Sequence, residues 1–272
     1  MKKLILFIVV AIGIGFFLRV FFAEKRTIII GMECDYVPNN WQETRPTASN
    51  MPLDNYEGLY AEGYDLQIAK AITKELGMDL KVKKIEWNDL IPALRRGEID
   101  AIFSGMLDTD ERRKDIAFSD TYEVKKAEYG IIVNANTKYA NATKLEHFYA
   151  ARMIGQKGTL LDTAIDQIPG AIHLEPVNTV PEMLAKLEKN EADAIVINLD
   201  TGHSYQRTYD HLKLIEFAEG DGFVFAFNGI CAGVRKRDTE LLNQINKALG
   251  GISTRDRQRL MDRTIARLWE NT

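Results

Sequence analysis

The sequence has few of the residues that usually carry covalent or metal chemistry. Only two of its 272 residues are cysteine and four are histidine, and the histidines show no zinc-like spacing. A net charge of −4 argues against a general nucleic-acid-binding surface, because neutralising many phosphates needs an excess of basic residues. No phosphate-loop motif, nucleophile–base pair or low-complexity tract is recognisable. These absences disfavour an enzyme and predict neither a cofactor nor a metal ion.

The two cysteines, Cys34 and Cys231, allow one disulfide bond. Cys34 is expected at the end of the first strand of the folded body, and Cys231 on a returning strand that need not lie beside it. Because disulfide geometry is demanding, we favour two free thiols, with a single bond as the alternative.

One long hydrophobic run lies at the N-terminus. Lys2 and Lys3 precede an apolar stretch over residues 4–23 that is interrupted by Arg19. A cationic start before an apolar stretch is typical of an export signal, and about 20 residues can cross a bilayer. No clear cleavage site follows, so we favour an uncleaved anchor with the body outside; a cleaved signal peptide is the alternative. Either way, the body is expected to function outside the cytoplasm.

Apolar periodicity predicts a βαβαβ unit at the start of the body. Strands are expected at 27–31, 80–82 and 100–103, separated by helices over 65–76 and 88–94, with Asn88 as a helix cap. This order implies parallel strands with right-handed crossovers. Residues 32–60 are polar, rich in Pro and Asn, and without periodicity, so they are predicted to form a long loop.

A similar nine-residue motif ends a predicted helix in each half of the chain, and we call the two copies the twin motifs. Residues 94–102 read LRRGEIDAI, and residues 187–195 read LEKNEADAI. Gly97 and Asn190 tolerate the left-handed conformation that closes a helix, and the apolar residues that follow are typical of a buried strand. The repeat predicts two similar α/β lobes with a cleft between them.

The second half repeats the alternation of strands and helices. Strands are expected at 129–133, 152–154, 171–174 and 194–197, with helices at 159–165 and 180–187. Residues 212–217 and 223–227 return the chain to the first lobe, which is completed by a strand at 230–234 and helices near 240–249 and 254–269. The predicted organisation is a membrane segment over 1–26, lobe 1 over 27–130 and 230–272, and lobe 2 over 131–229 including the crossover strands.

Ligands of open parallel sheets bind beyond the carboxyl ends of the strands. That rule selects residues 33–36, 104–112, 155–159 and 198–200. Within them, Arg112 stands near backbone N–H groups, and a guanidinium there can bind a carboxylate bidentately. The ordinary alternative is a solvated helix with acids at its start and bases beyond.

Five motifs in order carry a family resemblance: Gly63-Tyr-Asp-Leu66, Trp87-Asn-Asp-Leu-Ile-Pro-Ala-Leu94, Gly97-Glu-Ile-Asp-Ala-Ile102, Thr109-Asp-Glu-Arg112 and Phe118-Ser-Asp120. With Gln156-Lys-Gly158-Thr159, they resemble the polar amino-acid-binding proteins of ABC importers, the bacterial solute-binding proteins of family 3. The resemblance covers about residues 28–268.

The resemblance implies the two-lobed periplasmic-binding-protein type II fold. This fold is α/β, with a mainly parallel sheet flanked by helices in each lobe and a hinge of two crossover strands. The implied function is that of an extracytoplasmic receptor, not an enzyme. It would bind an amino acid or amino-acid-like solute between the lobes and, as a monomer, deliver it to an ABC permease.

The resemblance also implies roles for individual residues. Arg112 would bind the α-carboxylate of the ligand, helped by Thr159, whose ordinary alternative is a helix cap. Glu33 would face the ligand amine or a polar side chain. Further contacts are implied for two aromatic rings, which could instead pack the lobe, and for groups at a strand end: Tyr36, Tyr64, Ser104, Gly105 and Met106.

Two positions depart from the family pattern. Asn198 stands where the family usually presents an acid to the ligand α-amine. Glu33 or Asp200 could compensate, or the ligand could lack a free α-amine. Leu107 replaces a small hydroxyl residue, and Asp108 adds an acid near the guanidinium. The identity of the ligand therefore stays open.

Two other functions remain as alternatives. A cyclohexadienyl-dehydratase-like enzyme on this fold would need a positioned acid, for which Glu33 or Asp108 could serve. An anchored sensory module would need a signalling partner, because only residues 1–3 are predicted to lie on the inner side of the membrane. Trp41 is expected either to line the mouth of the cleft or to pack the long loop.

Overall fold

The protein is represented by a computed structural model that describes residues 25–124 and 128–270. Within these two ranges, no helix is both long enough and apolar enough to cross a membrane. The predicted anchor or signal over residues 4–23 lies outside the described part of the chain.

The first lobe is built on a five-stranded sheet flanked by helices. Its strands, given in spatial order, are β6 (Asp79–Lys84), β1 (Thr27–Met32), β7 (Ala101–Ile102), β14 (Cys231–Val234) and β8 (Ala117–Thr121). β1 pairs in parallel with β6 and β7, whereas β14 runs antiparallel to β7 and β8. The helices of this part are α1 (Tyr64–Glu75), α2 (Leu90–Arg96), α6 (Thr239–Gly250) and α7 (Thr254–Glu270).

The prediction that residues 32–60 form a long loop was wrong. This region contributes a four-stranded antiparallel sheet in the order β2 (Asp35–Tyr36), β3 (Asn40–Glu43), β5 (Tyr60–Glu62) and β4 (Met51–Pro52). Strands of two to four residues are too short to produce a recognisable apolar period. Trp41 is buried in this sheet, where its Nε1 donates to Glu43 Oε1 over 2.7 Å.

The second lobe repeats the plan of the first. Its five-stranded sheet has the order β11 (Ile172–His173), β10 (Arg152–Ile154), β12 (Ala194–Asn198), β9 (Tyr129–Asn134) and β13 (Leu212–Ile215). β10 pairs in parallel with β11 and β12, and β9 runs antiparallel to β12 and β13. The helices are α3 (Leu160–Thr163), α4 (Val180–Glu188) and α5 (Leu199–Thr208). β1 and β10 therefore occupy corresponding places in the two sheets.

The twin motifs, residues 94–102 and 187–195, end two helices in the same way. Gly97 follows α2 with φ +82°, and Asn190 lies just beyond α4 with φ +55°, so both adopt the predicted left-handed conformation. Neither the glycine hydrogen nor the short amide side chain opposes this conformation strongly. Each motif then continues into a strand that is buried on both faces.

The aspartate shared by the twin motifs fixes the position of a neighbouring strand in each lobe. Asp100 Oδ2 accepts from Ile29 N over 3.0 Å, and Asp193 Oδ2 accepts from Arg152 N over 2.8 Å. In both lobes the acceptor therefore binds a backbone N–H group of the corresponding strand, β1 or β10, which lies second from the edge of its sheet. The repeated Asp therefore helps to set the register of the strands and does not form a ligand site.

The chain passes between the lobes after β8 and again after β13. The second crossover, residues 223–227, was expected to be a strand, but it pairs with no strand of the described residues. Instead, the side chain of Gln167 forms hydrogen bonds with both backbone groups of Val224. Its Nε2 donates to the carbonyl oxygen over 3.0 Å, and its Oε1 accepts from the N–H group over 2.8 Å. Tyr129 and Phe225 pack beside this segment with ring centroids 4.5 Å apart.

Both cysteines are buried free thiols, as favoured from the sequence. Burial raises the pKa of Cys34 and of Cys231 above the usual range of a thiol. The two side chains are therefore uncharged parts of the packed interior at neutral pH.

Candidate functional site

A cavity lies where the carboxyl ends of β1, β7, β10 and β12 face one another. Together with the open solvent at its mouth, the empty space here amounts to about 460 Å³. Residues from both lobes line it, as expected for a cleft. Seven predicted site residues are among them: Glu33, Tyr36, Ser104, Gly105, Arg112, Thr159 and Asn198.

Arg112 supplies a fixed positive charge to this cavity. It begins a single 3₁₀ turn, Arg112–Lys114, and its guanidinium donates to Leu107 O over 2.9 Å and to Gly158 O over 3.2 Å. The guanidinium carbon lies 5.0 Å from the centre of the Trp87 ring, within the range of a cation–π contact. Burial lowers the pKa of Arg112 to about 10, so the group stays protonated at neutral pH.

The strand end at Ser104 and Gly105 is shaped by close contacts. Ser104 Oγ is buried and accepts from Glu33 N over 2.9 Å, which joins the ends of β1 and β7. Gly105 has φ +60°, and a Cβ atom there would lie 3.1 Å from the ring of Tyr36. The glycine thus permits both the left-handed backbone and the approach of the aromatic ring.

A buried carboxylate, Asp65, supports this strand end from the start of α1. It is bonded by the backbone of Gly105, by Tyr122 Oη over 2.7 Å and by Asn40 Nδ2 over 2.8 Å. Burial raises the pKa of Asp65 to about 6, although these hydrogen bonds oppose the rise. Its part in the site was not predicted, because an Asp at a helix start is usually a solvated first-turn acid.

Glu33 and Gln156 face each other across the cleft. Glu33 is only 2% exposed, and its Oε1 accepts from Gln156 Nε2 over 2.5 Å. The same amide nitrogen donates to Asn178 O over 3.0 Å, which fixes the glutamine side chain. Burial and the charge of Asp35 raise the pKa of Glu33 to about 8, while the bond from Gln156 lowers it.

Thr159 and Asn198 line the cavity while also capping short helices. Thr159 Oγ1 accepts from Leu161 N over 3.1 Å and donates to Gln156 O over 2.7 Å. Asn198 Oδ1 accepts from Asp200 N over 2.9 Å at the start of α5. The ordinary capping role and a place at the cavity are therefore combined in both residues.

Two predicted site residues lie outside this cavity. Tyr64 is buried in the first lobe, where its hydroxyl donates to Tyr122 O over 2.7 Å. Met106 is buried in an apolar cluster that includes Leu90 and Ile116. Asp108 was considered as an acid for the alternative enzyme. It forms a bidentate ion pair with Arg113, whose Nε and Nη2 donate to its two carboxylate oxygens.

Three polar or aromatic residues of the cavity were not predicted: Trp87, Tyr129 and Gln156. Trp87 Nε1 donates to Gly158 O over 3.1 Å, so both Trp87 and Arg112 contact the same carbonyl of the second lobe. The rule of strand ends had selected residues 155–159, which contain Gln156. Neither Trp87 nor Tyr129 lies in a range that this rule selects.

A sequence profile of the bacterial extracellular solute-binding proteins, family 3, matches residues 28–264. The chain belongs to this family. The match spans nearly all of the described residues and, apart from Thr27 at the start of β1, includes all three sheets. The family resemblance carried by the ordered motifs is thereby confirmed.

Individual relatives agree with this membership. The family 3 protein is 26% identical over 233 residues to the arginine-binding extracellular protein ArtP of Bacillus subtilis (strain 168), covering 83% of this chain and 80% of that one. It is 29% identical over 199 residues to the ABC transporter glutamine-binding protein GlnH of the same organism, covering 69% and 66%. Both relatives are solute-binding proteins and not enzymes.

Solved structures give the same result for the fold. The family 3 protein superimposes with a TM-score of 0.73 on the crystal structure of the substrate binding protein of an amino acid ABC transporter. Sequence identity is 26%, and the alignment covers 87% of this chain and 98% of the other. The two-lobed type II fold and a solute-binding role follow for this family 3 protein.

Proposed function

We propose that this family 3 protein is the extracytoplasmic receptor of an ABC importer, and that it binds an amino acid in the cleft and delivers it to a permease. The observation that carries the proposal is the position of Arg112, a charged guanidinium at a cavity lined by both lobes. A carboxylate matches the planar fork of a guanidinium, and every free amino acid has one. The names of the arginine- and glutamine-binding relatives support this ligand class.

The proposed roles follow the chemistry of each wall. Arg112 pairs with the α-carboxylate, the Ser104 hydroxyl adds a donor beside it, and Gly105 and Thr159 line this end of the cavity. The ring of Tyr36 contacts the ligand side chain. Glu33 and Asn198 receive the ammonium group or a polar side chain of the ligand. Tyr64 and Met106 act indirectly, because their side chains pack the first lobe.

Binding and release are proposed to follow the relative motion of two lobes. Lobe 1 comprises residues 27–130 and 230–272, and lobe 2 residues 131–229. The contacts of Gly158 with Trp87 and Arg112 cross the cleft, so they form only when the lobes approach. We include in the proposal that residues 1–26 anchor the receptor at the membrane, which would raise its concentration near the permease.

The test is calorimetric titration of the full-length chain, purified in mild detergent, with the common L-amino acids. We expect at least one to bind, and the Arg112→Ala variant to lose roughly 100-fold or more in affinity, because bidentate charge-assisted bonds are lost. Arg96→Ala is the matched control, since Arg96 is exposed, pairs with Glu98 and does not line the cavity. Unchanged affinity of the Arg112→Ala variant would overturn the carboxylate assignment.

A further inference from the structure

The ionisable groups around the cavity are few and of opposite type. Among the described residues that line it, Arg112 is the single cation and Glu33 the single carboxyl group. The remaining polar side chains are neutral amides and hydroxyls. Asn198 is one of them and is 5% exposed, so the end of β12 brings an amide and no charge to the wall.

Glu33 is placed to act as the partner of a ligand cation. Its side chain is buried, and among the described residues its carboxyl group accepts one side-chain hydrogen bond, from the neutral amide of Gln156. The nearby Lys84 pairs with Asp35 over 2.8 Å and donates to Gln42 Oε1 over 3.0 Å, so its ammonium group is bound to other partners. A cationic group of the ligand would therefore be the first full positive charge in contact with Glu33.

Three further acids close to the cavity have partners of their own. Asp108 is paired with Arg113. A neighbouring cavity shares Asn198 with the first and is lined by Glu123 and Asp200, each of which has interactions of its own. None of these three carboxylates lines the central cavity.

A charge that is moved into a buried site without a partner is strongly disfavoured. An amino acid with one carboxylate and one ammonium group satisfies both Arg112 and Glu33. A second positive or negative group on its side chain would find no counter-charge among the described residues of the cavity wall. We propose that the cleft selects amino acids of zero net charge, with Arg112 pairing the carboxylate and Glu33 the ammonium group. This inference rests on the proposed function.

Two isosteric ligand pairs test this selection on the full-length protein. L-citrulline and L-arginine differ by a neutral and a cationic end group, and L-glutamine and L-glutamate by a neutral and an anionic one. We expect the neutral member of each pair to bind at least tenfold more tightly in calorimetry. If L-arginine equals or exceeds L-citrulline, or L-glutamate equals or exceeds L-glutamine, the selection for zero net charge is overturned.

The same titrations separate the two proposals. If the charged members bind best and Arg112→Ala abolishes that binding, only the present inference fails. If no amino acid binds, the proposed function fails and this inference with it.

An added carboxylate gives an independent check. Asn198→Asp introduces a second acid at the cavity wall. We expect it to shift the ratio of L-arginine to L-citrulline affinity toward L-arginine by at least tenfold. A ratio that stays constant in a folded variant, verified by its thermal unfolding, would contradict the charge argument.

Discussion

Gln156 Nε2 donates to Glu33 Oε1 across the cleft over 2.5 Å. The two residues follow β1 and β10, which occupy corresponding places in the sheets of the two lobes. Because one residue belongs to each lobe, this hydrogen bond depends on the approach of the lobes. The carboxyl group proposed to meet the ligand is therefore also a group that the second lobe contacts directly.

Ligand binding is expected to release a proton from Glu33. Burial, Asp35 and Glu86 raise its pKa to about 8, against the opposing effects of Gln156 and Lys84, so the carboxyl group is mostly protonated near neutral pH. A ligand ammonium group favours the charged form and lowers the pKa in the complex. Affinity should therefore increase from about pH 6 to about pH 8, where the unliganded carboxyl group ionises.

The proton count can be measured by calorimetry in buffers of different ionisation enthalpy. Near pH 7 we expect close to one proton released per ligand bound. The Glu33→Gln variant has no proton to release and should show weaker binding without this pH dependence. Equal proton release by the variant would assign the effect to another group.

Trp87→Phe should weaken ligand binding by about three- to tenfold. The change removes the indole donor to Gly158 O, and a typical net hydrogen bond contributes about 0.5–1.5 kcal/mol. The phenyl ring retains an aromatic face for Arg112. Trp41→Phe is the matched control, because Trp41 Nε1 donates to Glu43 within the small sheet. Equal losses of affinity in both variants would contradict a role for the contact across the cleft.

Gly105→Ala should reduce both stability and affinity. A left-handed Ala costs about 1–2 kcal/mol, and its Cβ would also press on the ring of Tyr36 at 3.1 Å. Gly77→Ala separates these effects, because Gly77 has φ +64° with nothing within 4 Å of a Cβ atom. Urea unfolding and calorimetry of the two variants provide the comparison. We expect only Gly105→Ala to change ligand affinity.

His173 should stabilise the fold more at acid than at alkaline pH. Its ring nitrogens lie 2.8 Å from Asp162 Oδ1 and 2.9 Å from Asp166 Oδ1. Burial lowers the pKa of His173, but the two hydrogen bonds outweigh it, so the pKa lies above its ordinary value. The resulting stability is complete below the unfolded pKa of about 6.5 and is lost as pH rises through the folded pKa.

Urea unfolding at several pH values tests this ion pair. The difference in unfolding free energy between the wild type and His173→Gln should shrink as pH rises above about 6.5. His203→Gln is the control, since His203 is half-exposed and lies 3.6 Å from a single carboxylate, Glu216. A difference for His173→Gln that does not vary with pH would show that the imidazolium is not the stabilising species.

The sequence predicted the parts of the fold that depend on long periodic segments. The twin motifs around Asp100 and Asp193 identified corresponding helix ends and buried strands in the two lobes. The profile match confirmed the family. The strand-end rule then selected Glu33, Arg112 and Asn198, which the fold brings to one cavity. Periodicity and topology were sufficient because parallel strands place their carboxyl ends at one edge.

Features set by single contacts were beyond such reasoning. Asn88 was expected to cap a helix, but the chain forms a 3₁₀ turn at Trp87–Asp89 and α2 follows without a side-chain cap. The direction of the Tyr64 side chain depends on the rotation of α1, which directs it to Tyr122 and away from the cavity. The role of Asp65 requires three partners that are distant in sequence.

The bond pair between Gln167 and Val224 has a consequence for self-association. Residues 223–227 read FVFAF, a run without charge or proline and with Val224 81% exposed, which is a composition prone to intermolecular strand formation. Such pairing requires free backbone N–H and C=O groups. Gln167 occupies both of these groups at Val224, so one side chain of the second lobe shields a hydrophobic segment from the backbone of another molecule.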